Sequence, residues 1–275
     1  MSLNSVNTNI GAQVALQSLN RTNEALNVTQ KRISTGLRVN DAKDDGAAFA
    51  VAQAVRADVA GLTAANEQLG GVKGILDTAL SGLTKVSETM VKVRETLVRL
   101  ADDTLNTEQR AQYTAQYTAL RTQIQNFITD ATYNGRTLLA TAPPGGNIVT
   151  TRNESGTTYT ITAVDGAGTL LVGAAPATAA AAQTALGAGG DFQTIQTAIS
   201  NALNTFGSDS RYIDAQVAYN KDKADALEAG LGALIDADLA KESARLQSLQ
   251  IRQQLGTQAL SIANQAPQTL LSLFR

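Results

Sequence analysis

Proline placement constrains this chain more than any other feature. Its four prolines are Pro143, Pro144, Pro176 and Pro267, so residues 1–142 and 177–266 lack the one residue a helix interior excludes. Long helices are permitted over most of the length, and the interruption is confined to the middle. Apolar spacing fills both permitted stretches. Leu19, Leu26 and Ile33 keep a seven-residue step, with Leu16 beside them and Val6, Ile10 and Val14 on an adjoining stripe. Toward the other end Ile235, Leu239, Leu246, Leu249 and Leu260 repeat at three- and four-residue spacing, and Leu255 and Ile262 extend the stripe. The two ends carry matching amphipathic patterns suited to pairing.

Gly36 and the polar run to Gly46 predict a non-helical elbow at about residues 33–46. Helical patterning resumes from Ala47 to Leu100, pauses at Asp102–Thr107 and continues through Ile124, Phe127 and Ile128. Asn134-Gly135 predicts a tight turn. Ala142-Pro-Pro-Gly-Gly146 is a breaker, and the β-prone runs 147–152 and 157–162 around Asn153-Glu-Ser-Gly156 predict a hairpin. Val172–Gly190, rich in Ala, Gly and Thr, has little to bury and reads as a loop or loose connector. Helices then cover about Phe192–Phe206 and a second stretch from Ser210 toward Leu231. The fold class expected is mainly α. A long antiparallel helical rod or coiled coil is formed by the N- and C-terminal segments, with a small β-hairpin in the middle of the chain.

Composition removes most chemistry. With no Cys, His or Trp, thiol nucleophiles, imidazole bases, disulfides and the usual zinc sites are excluded. A net charge of −2 weighs against nucleic-acid binding. No stretch of about 20 apolar residues is present for membrane insertion, and no basic residue precedes Arg21 as a secretory signal would require. Asp41–Gly46 suggests a calcium loop, but Lys43 occupies the third ligand position and Ala52 the place of the bidentate Glu. The expectation is a protein that is not an enzyme and has no cofactor or metal. One narrow apolar stripe does not offset the backbone entropy of a long terminal helix, so both ends are expected to order only against other copies of the chain and to be disordered in the monomer.

Four segments are more specific. Ser5-Val-Asn-Thr-Asn-Ile10, Arg32-Ile-Ser-Thr-Gly-Leu-Arg-Val-Asn-Asp-Ala-Lys-Asp-Asp45, Leu246-Gln-Ser-Leu-Gln-Ile-Arg-Gln-Gln254 and Ala263-Asn-Gln-Ala-Pro-Gln-Thr-Leu-Leu271 together resemble bacterial flagellin. The likeness spans roughly residues 1–140 and 190–275 and leaves the middle unmatched.

The resemblance implies a short form lacking large outer domains. Residues 1–44 and 236–275 would be the paired terminal helices of the filament core layer. Residues 45–235 would be a helical rod domain, with the hairpin and an Ala/Gly-rich loop at about 142–190. The implied function is a structural subunit that polymerises into the flagellar filament for swimming motility. It would be exported unfolded through the flagellar secretion channel and would reside outside the cell. The alternatives are a hook-filament junction protein and a flagellin-like surface adhesin or receptor.

Partners implied are other flagellin copies, a filament cap, the hook-junction protein and an export chaperone. Polymerisation and core contacts would come from Val6, Ile10, Leu16, Leu19, Leu26, Ile33, Ile235, Leu239, Leu246, Leu249, Leu260 and Ile262. The chaperone would mask Leu249, Leu255, Ile262, Leu270, Leu271, Leu273 and Phe274. At the positions where many flagellins meet the vertebrate Toll-like receptor for flagellin, this chain has Lys92, Thr96 and Gln116 in place of Arg, Leu and Glu.

Overall fold

The computed structural model describes residues 8–272, with side chains as far as Gln265. Helix α1 spans Ile10–Thr35, α2 Gly46–Leu100 and α3 Thr107–Asp130. Strands β1 (Ile148–Thr151) and β2 (Thr158–Ile161) follow, then the short α4 (Gly166–Thr169) and α5 (Ala179–Leu186), and finally α6 (Asp191–Ile235) and α7 (Leu239–Ser272).

Local chemistry sets most of these boundaries. Asn9 caps α1 by accepting from the Ala12 N–H, and Gly36 ends it in the left-handed region at φ +73°, donating its N–H to Arg32 O. Asn106 and Gln109 form a reciprocal capping box at the start of α3. Asn134 and Gly135 both take positive φ, and Tyr133 and Arg136 exchange backbone hydrogen bonds around them, as a two-residue turn requires.

The chain divides into two compact units. The larger comprises Asp58–Asp225. Its core rests on a heptad that runs unbroken through α2. Leu62, Leu69, Leu76, Leu83, Met90 and Leu97 stand seven apart, Ala65, Val72, Ala79, Val86, Val93 and Leu100 keep the same step between them, and all are buried. Tyr117, Ile124 and Ile128 of α3 join this core, as do Phe192, Ile199, Phe206 and Ile213 of α6, again spaced by seven. Gly82 lets α2 approach the end of α3. A Cβ there would lie 2.8 Å from Ala131 Cβ and 3.1 Å from Phe127 O.

The hairpin is antiparallel with Ile148 opposite Ile161 and Thr151 opposite Thr158. Ile148 and Thr150 point inward while Val149 between them stands exposed, the period-two alternation of a one-sided strand. Tyr159 of β2 stacks on Tyr212 of α6 at 4.2 Å and donates its hydroxyl to Asp209 Oδ1 at 2.6 Å. The fully buried Asn220 donates to Arg152 O and to Asn66 Oδ1, and Lys223 pairs with Glu154 at 2.5 Å. The hairpin is thereby clamped to α6 and α2.

This clamp has a pH dependence. Burial, with the Asp209 carboxylate beside it, pushes the Tyr159 hydroxyl up to about 12, and burial pushes Tyr117 up to about 12 as well. An unfolded chain loses these protons near pH 10, so between pH 10 and 12 it binds fewer protons than the folded one. Stability is then complete below pH 10 and falls as pH rises toward 12. Denaturant midpoints measured from pH 9 to 12 should decline above pH 10, and the double substitution Tyr117→Phe, Tyr159→Phe should flatten that decline.

The smaller unit comprises residues up to Ala57 and from Ala226 onward. Here α1 and α7 lie antiparallel, and the elbow meets the turn between α6 and α7. Arg38 and Val39 donate their N–H groups to Ile235 O, Ala237 donates to Gly36 O, and Leu37 bridges Asp236. Val39, Ala48, Ala52 and Ile235 form a small core beneath this bridge. That cluster brings the first turns of α2 and the end of α6 into the terminal unit.

The elbow, the hairpin, the pause before α3 and the mainly α architecture follow the sequence-based expectation. Two segments differ from it. The tract from Val172 to Gly190 is not a loose connector, because it contains α5. Thr178 caps that helix, Ala182 is fully buried, and the tract is pinned by Arg121 donating to Val172 O and Gln183 donating to Ala101 O. Alanine has the highest helix propensity, and its small side chain allows close packing without bulk. The two helices expected over 192–231 are one continuous α6, since Phe206 and Ile213 keep the core-facing step across Gly207–Ser210.

Candidate assembly surface

The α1–α7 seam runs from Asn9, whose side-chain amide donates to Ala263 O at 2.7 Å, to Arg32, which pairs with Glu242 at 3.2 Å. Between these ends Gln253 donates to Asn23 Oδ1 at 2.8 Å, and Gly256 leaves room for Leu19, whose Cδ1 would lie 3.2 Å from an added Cβ. Among the described residues the apolar side chains of α1 and α7 buried in this unit are few. Leu26 and Leu249 are buried, whereas Leu19, Ile33, Leu246 and Leu260 are half-buried.

The remaining apolar residues face outward. Of the fourteen large hydrophobic side chains exposed among the described residues, nine belong to this smaller unit, so the uncovered apolar surface is concentrated at the chain ends. On α1, Ile10, Val14 and Val28 lie within about 40° of one another and about 120–180° from Leu19 and Leu26 at 3.6 residues per turn. On α7, Ile251, Leu255 and Ile262 cluster within about 40° on the side away from Leu249. Leu255 and Ile262 are 61% and 62% exposed. Each helix thus spends one stripe on its partner and keeps a second one uncovered.

This geometry sorts the residues expected to make polymer contacts. Ile10, Leu16, Leu239 and Ile262 are exposed and available to another molecule. Leu26, Ile235 and Leu249 are buried inside the chain, so within one subunit they belong to the core part of that set and present no open face to other copies. Leu249 likewise does not share the face of Leu255 and Ile262, contrary to its grouping as one chaperone-masked surface. Val6, Leu273 and Phe274 lie outside the described residues, and the side chains of Leu270 and Leu271 do too. Val14, Val28 and Ile251 complete the outward stripes. Val14 was visible in the sequence as part of a stripe, while Val28 and Ile251 could be found only by asking which apolar positions fall opposite the seam.

The three positions that the resemblance places at a receptor contact divide in the same way. Lys92 of α2 and Gln116 of α3 are exposed. Thr96 is only 2% exposed and donates its hydroxyl to Lys92 O, so it offers no surface contact, a correction to the expectation that all three positions lie at a receptor-facing surface. Among the described residues no helix is long and apolar enough to cross a membrane, and no three His, Cys, Asp or Glu side chains group closely enough to hold a metal ion.

A chain whose helical ends pair and still present apolar stripes has the form of a self-associating structural protein. Comparison with known proteins agrees. The chain matches the bacterial flagellin N-terminal helical region over residues 6–142 and the bacterial flagellin C-terminal helical region over residues 192–274. Flagellin FljK of Caulobacter vibrioides is 39% identical over 279 residues, covering all of both chains. A flagellin of Brucella melitensis is 36% identical over 283 residues, covering 98% of this chain and 99% of the other. The crystal structure of Bacillus cereus flagellin has a TM-score of 0.50 at 23% identity, over 56% of this chain and 88% of that one, and speaks to the fold alone. The chain belongs to the bacterial flagellin family.

Proposed function

We propose that this chain is a structural subunit of the flagellar filament and that its outward stripes, Ile10, Val14 and Val28 on α1 with Ile251, Leu255 and Ile262 on α7, make the contacts between copies. The observation carrying this reading is the concentration of uncovered apolar side chains on helices already paired within the chain. Repetition of one heterologous contact by every copy generates an open helical polymer rather than a closed oligomer. The activity is then geometric, and no catalytic group is required. Export as an unfolded chain through the secretion channel, and contacts with a chaperone, a cap and a junction protein, belong to the same reading. A chain without cysteine forms no crosslink that would obstruct such a passage.

The direct test is seeded growth. Purified chain added to short filament fragments should lengthen them under electron microscopy, and no elongation at high chain concentration would refute the reading. A reporter-cell assay adds a second expectation. Lys92 in place of Arg loses a bidentate fork and Gln116 in place of Glu loses a charge, so receptor activation should fall well below that of a flagellin carrying the Arg and Glu.

A further inference from the structure

With neither cysteine nor tryptophan present, the six tyrosines are the side chains of this chain that part most readily with a single electron. A phenol that loses an electron becomes a very strong acid and must lose its proton as well. The neighbour that takes the proton therefore governs the rate, as a positioned general base does.

Among the described residues Tyr159 of β2 is the tyrosine whose hydroxyl meets a carboxylate, donating to Asp209 Oδ1 of α6 at 2.6 Å, within the reach a base requires. Burial and that carboxylate push the hydroxyl up to about 12, so at neutral pH the ring carries its proton and depends on an acceptor. The other tyrosines are less well placed. Tyr117 is 4% exposed and donates to Gly173 O, a backbone carbonyl far less basic than a carboxylate. The Arg99 guanidinium lies 5.6 Å from the centre of the Tyr113 ring, where its charge opposes the loss of an electron. Tyr212 accepts a hydrogen bond from the Arg152 guanidinium at 3.1 Å, which sets a positive charge beside its oxygen. Tyr133 and Tyr219 stand exposed, with water as the base.

We propose that Tyr159 is the site at which this protein is oxidised by one-electron oxidants, with Asp209 as its proton acceptor. The oxidant takes one electron from the Tyr159 ring, the phenolic O–H bond breaks, and a new O–H bond forms on Asp209 Oδ1. The products are a neutral tyrosyl radical, a neutral carboxylic acid and the oxidant reduced by one electron, so protons and charge balance. The ring of Tyr159 is half-buried, which suits an oxidant that works by electron transfer at the ring edge and needs no binding pocket. Tyr212 stacks on it at 4.2 Å, but the Arg152 charge keeps the electron deficiency from passing across the stack. The new acid donates back to the phenoxyl oxygen, so the hairpin stays fastened to α6 while the radical lasts, and the ring carbons beside that oxygen become the point of covalent modification.

The test uses the full-length chain and photogenerated tris(bipyridine)ruthenium(III), a one-electron oxidant, with a nitroso spin trap present. Trypsin separates the candidates, because the fragment 153–211 contains Tyr159 as its single tyrosine, whereas Tyr212 and Tyr219 share the fragment 212–221. The trap should be recovered chiefly on 153–211, and oxidation should slow in heavy water because a proton moves with the electron. Asp209→Asn separates chemistry from packing. Its carboxamide oxygen still accepts the Tyr159 hydrogen bond but is too weak a base to take the proton, so oxidation should slow by about tenfold or more while the denaturant midpoint stays near that of the parent. Tyr159→Phe should shift the trap to the other fragments. Trap recovered chiefly on 212–221 or on the Tyr133 fragment, an equal rate in heavy water, or a parental rate in Asp209→Asn would each overturn the proposal. Fragment mapping and the heavy-water rate are read on the parent chain, so they decide the matter even if the asparagine variant folds poorly.

Discussion

Replacing Leu255 and Ile262 together by aspartate is expected to abolish seeded filament growth while leaving the helical content and the unfolding of the 58–225 unit as in the parent. Both side chains are more than half exposed and lie on the side of α7 away from Leu249, so carboxylates there remain solvated in the single chain. In a polymer that covers the stripe, each charge would be buried without a partner at a cost of several kcal/mol. Every 1.4 kcal/mol is a factor of ten in an equilibrium constant, so the concentration of chain needed for growth should rise by about 100-fold or more. Leu249→Asp provides the contrast. That side chain is 7% exposed, so its replacement should loosen the α1–α7 pair itself. Elongation of seeds by the Leu255, Ile262 double variant at the parental rate would show that the stripe is not an assembly contact.

Leu83→Ala should destabilise the larger unit by about 2–5 kcal/mol, and Leu76→Ala by a similar amount. Both side chains are fully buried in the α2 heptad, and truncating a close-packed core side chain leaves a cavity that its surroundings fill only in part. Val91→Ala on the exposed side of the same helix should change stability by no more than about 0.5 kcal/mol. Denaturant midpoints of the three variants provide the comparison. A Leu83 variant indistinguishable from the Val91 variant would mean that the heptad is not the organising core.

Much of this architecture is legible in the sequence because backbone signals are local. Gly36 supplies the positive φ at which α1 ends, Asn106 carries its capping partner three residues on, and Asn134-Gly135 specifies its own turn. The hairpin follows from β-branched runs around Asn153–Gly156. What the sequence left hidden depends on packing partners. Three- and four-residue spacing identifies apolar faces without saying what covers them, so Leu249 and Leu255 look equivalent in the chain although one is buried and the other open. Thr96 sits beside Leu97 on the inner side of α2, a position that periodicity could have revealed had the buried heptad been followed from Leu62. Helix α5 was obscured because alanine reads as featureless, although the Thr178 cap marks its start. The partnership of Arg32 with Glu242 joins residues 210 positions apart, and no local pattern announces it.

The α2 heptad has a further geometric consequence. A straight helix completes a turn in 3.6 residues, so a stripe recurring every seven drifts by about 20° per repeat relative to the helix axis. From Leu62 to Leu97 the accumulated drift is about 100°, enough to carry the stripe well around a straight cylinder. The buried residues remain on one continuous seam only if the helices of the larger unit coil about one another in a left-handed sense. Handedness in this unit is therefore written into the spacing of leucine, alanine and valine, and a three- or four-residue insertion within α2 would locally overwind or unwind it.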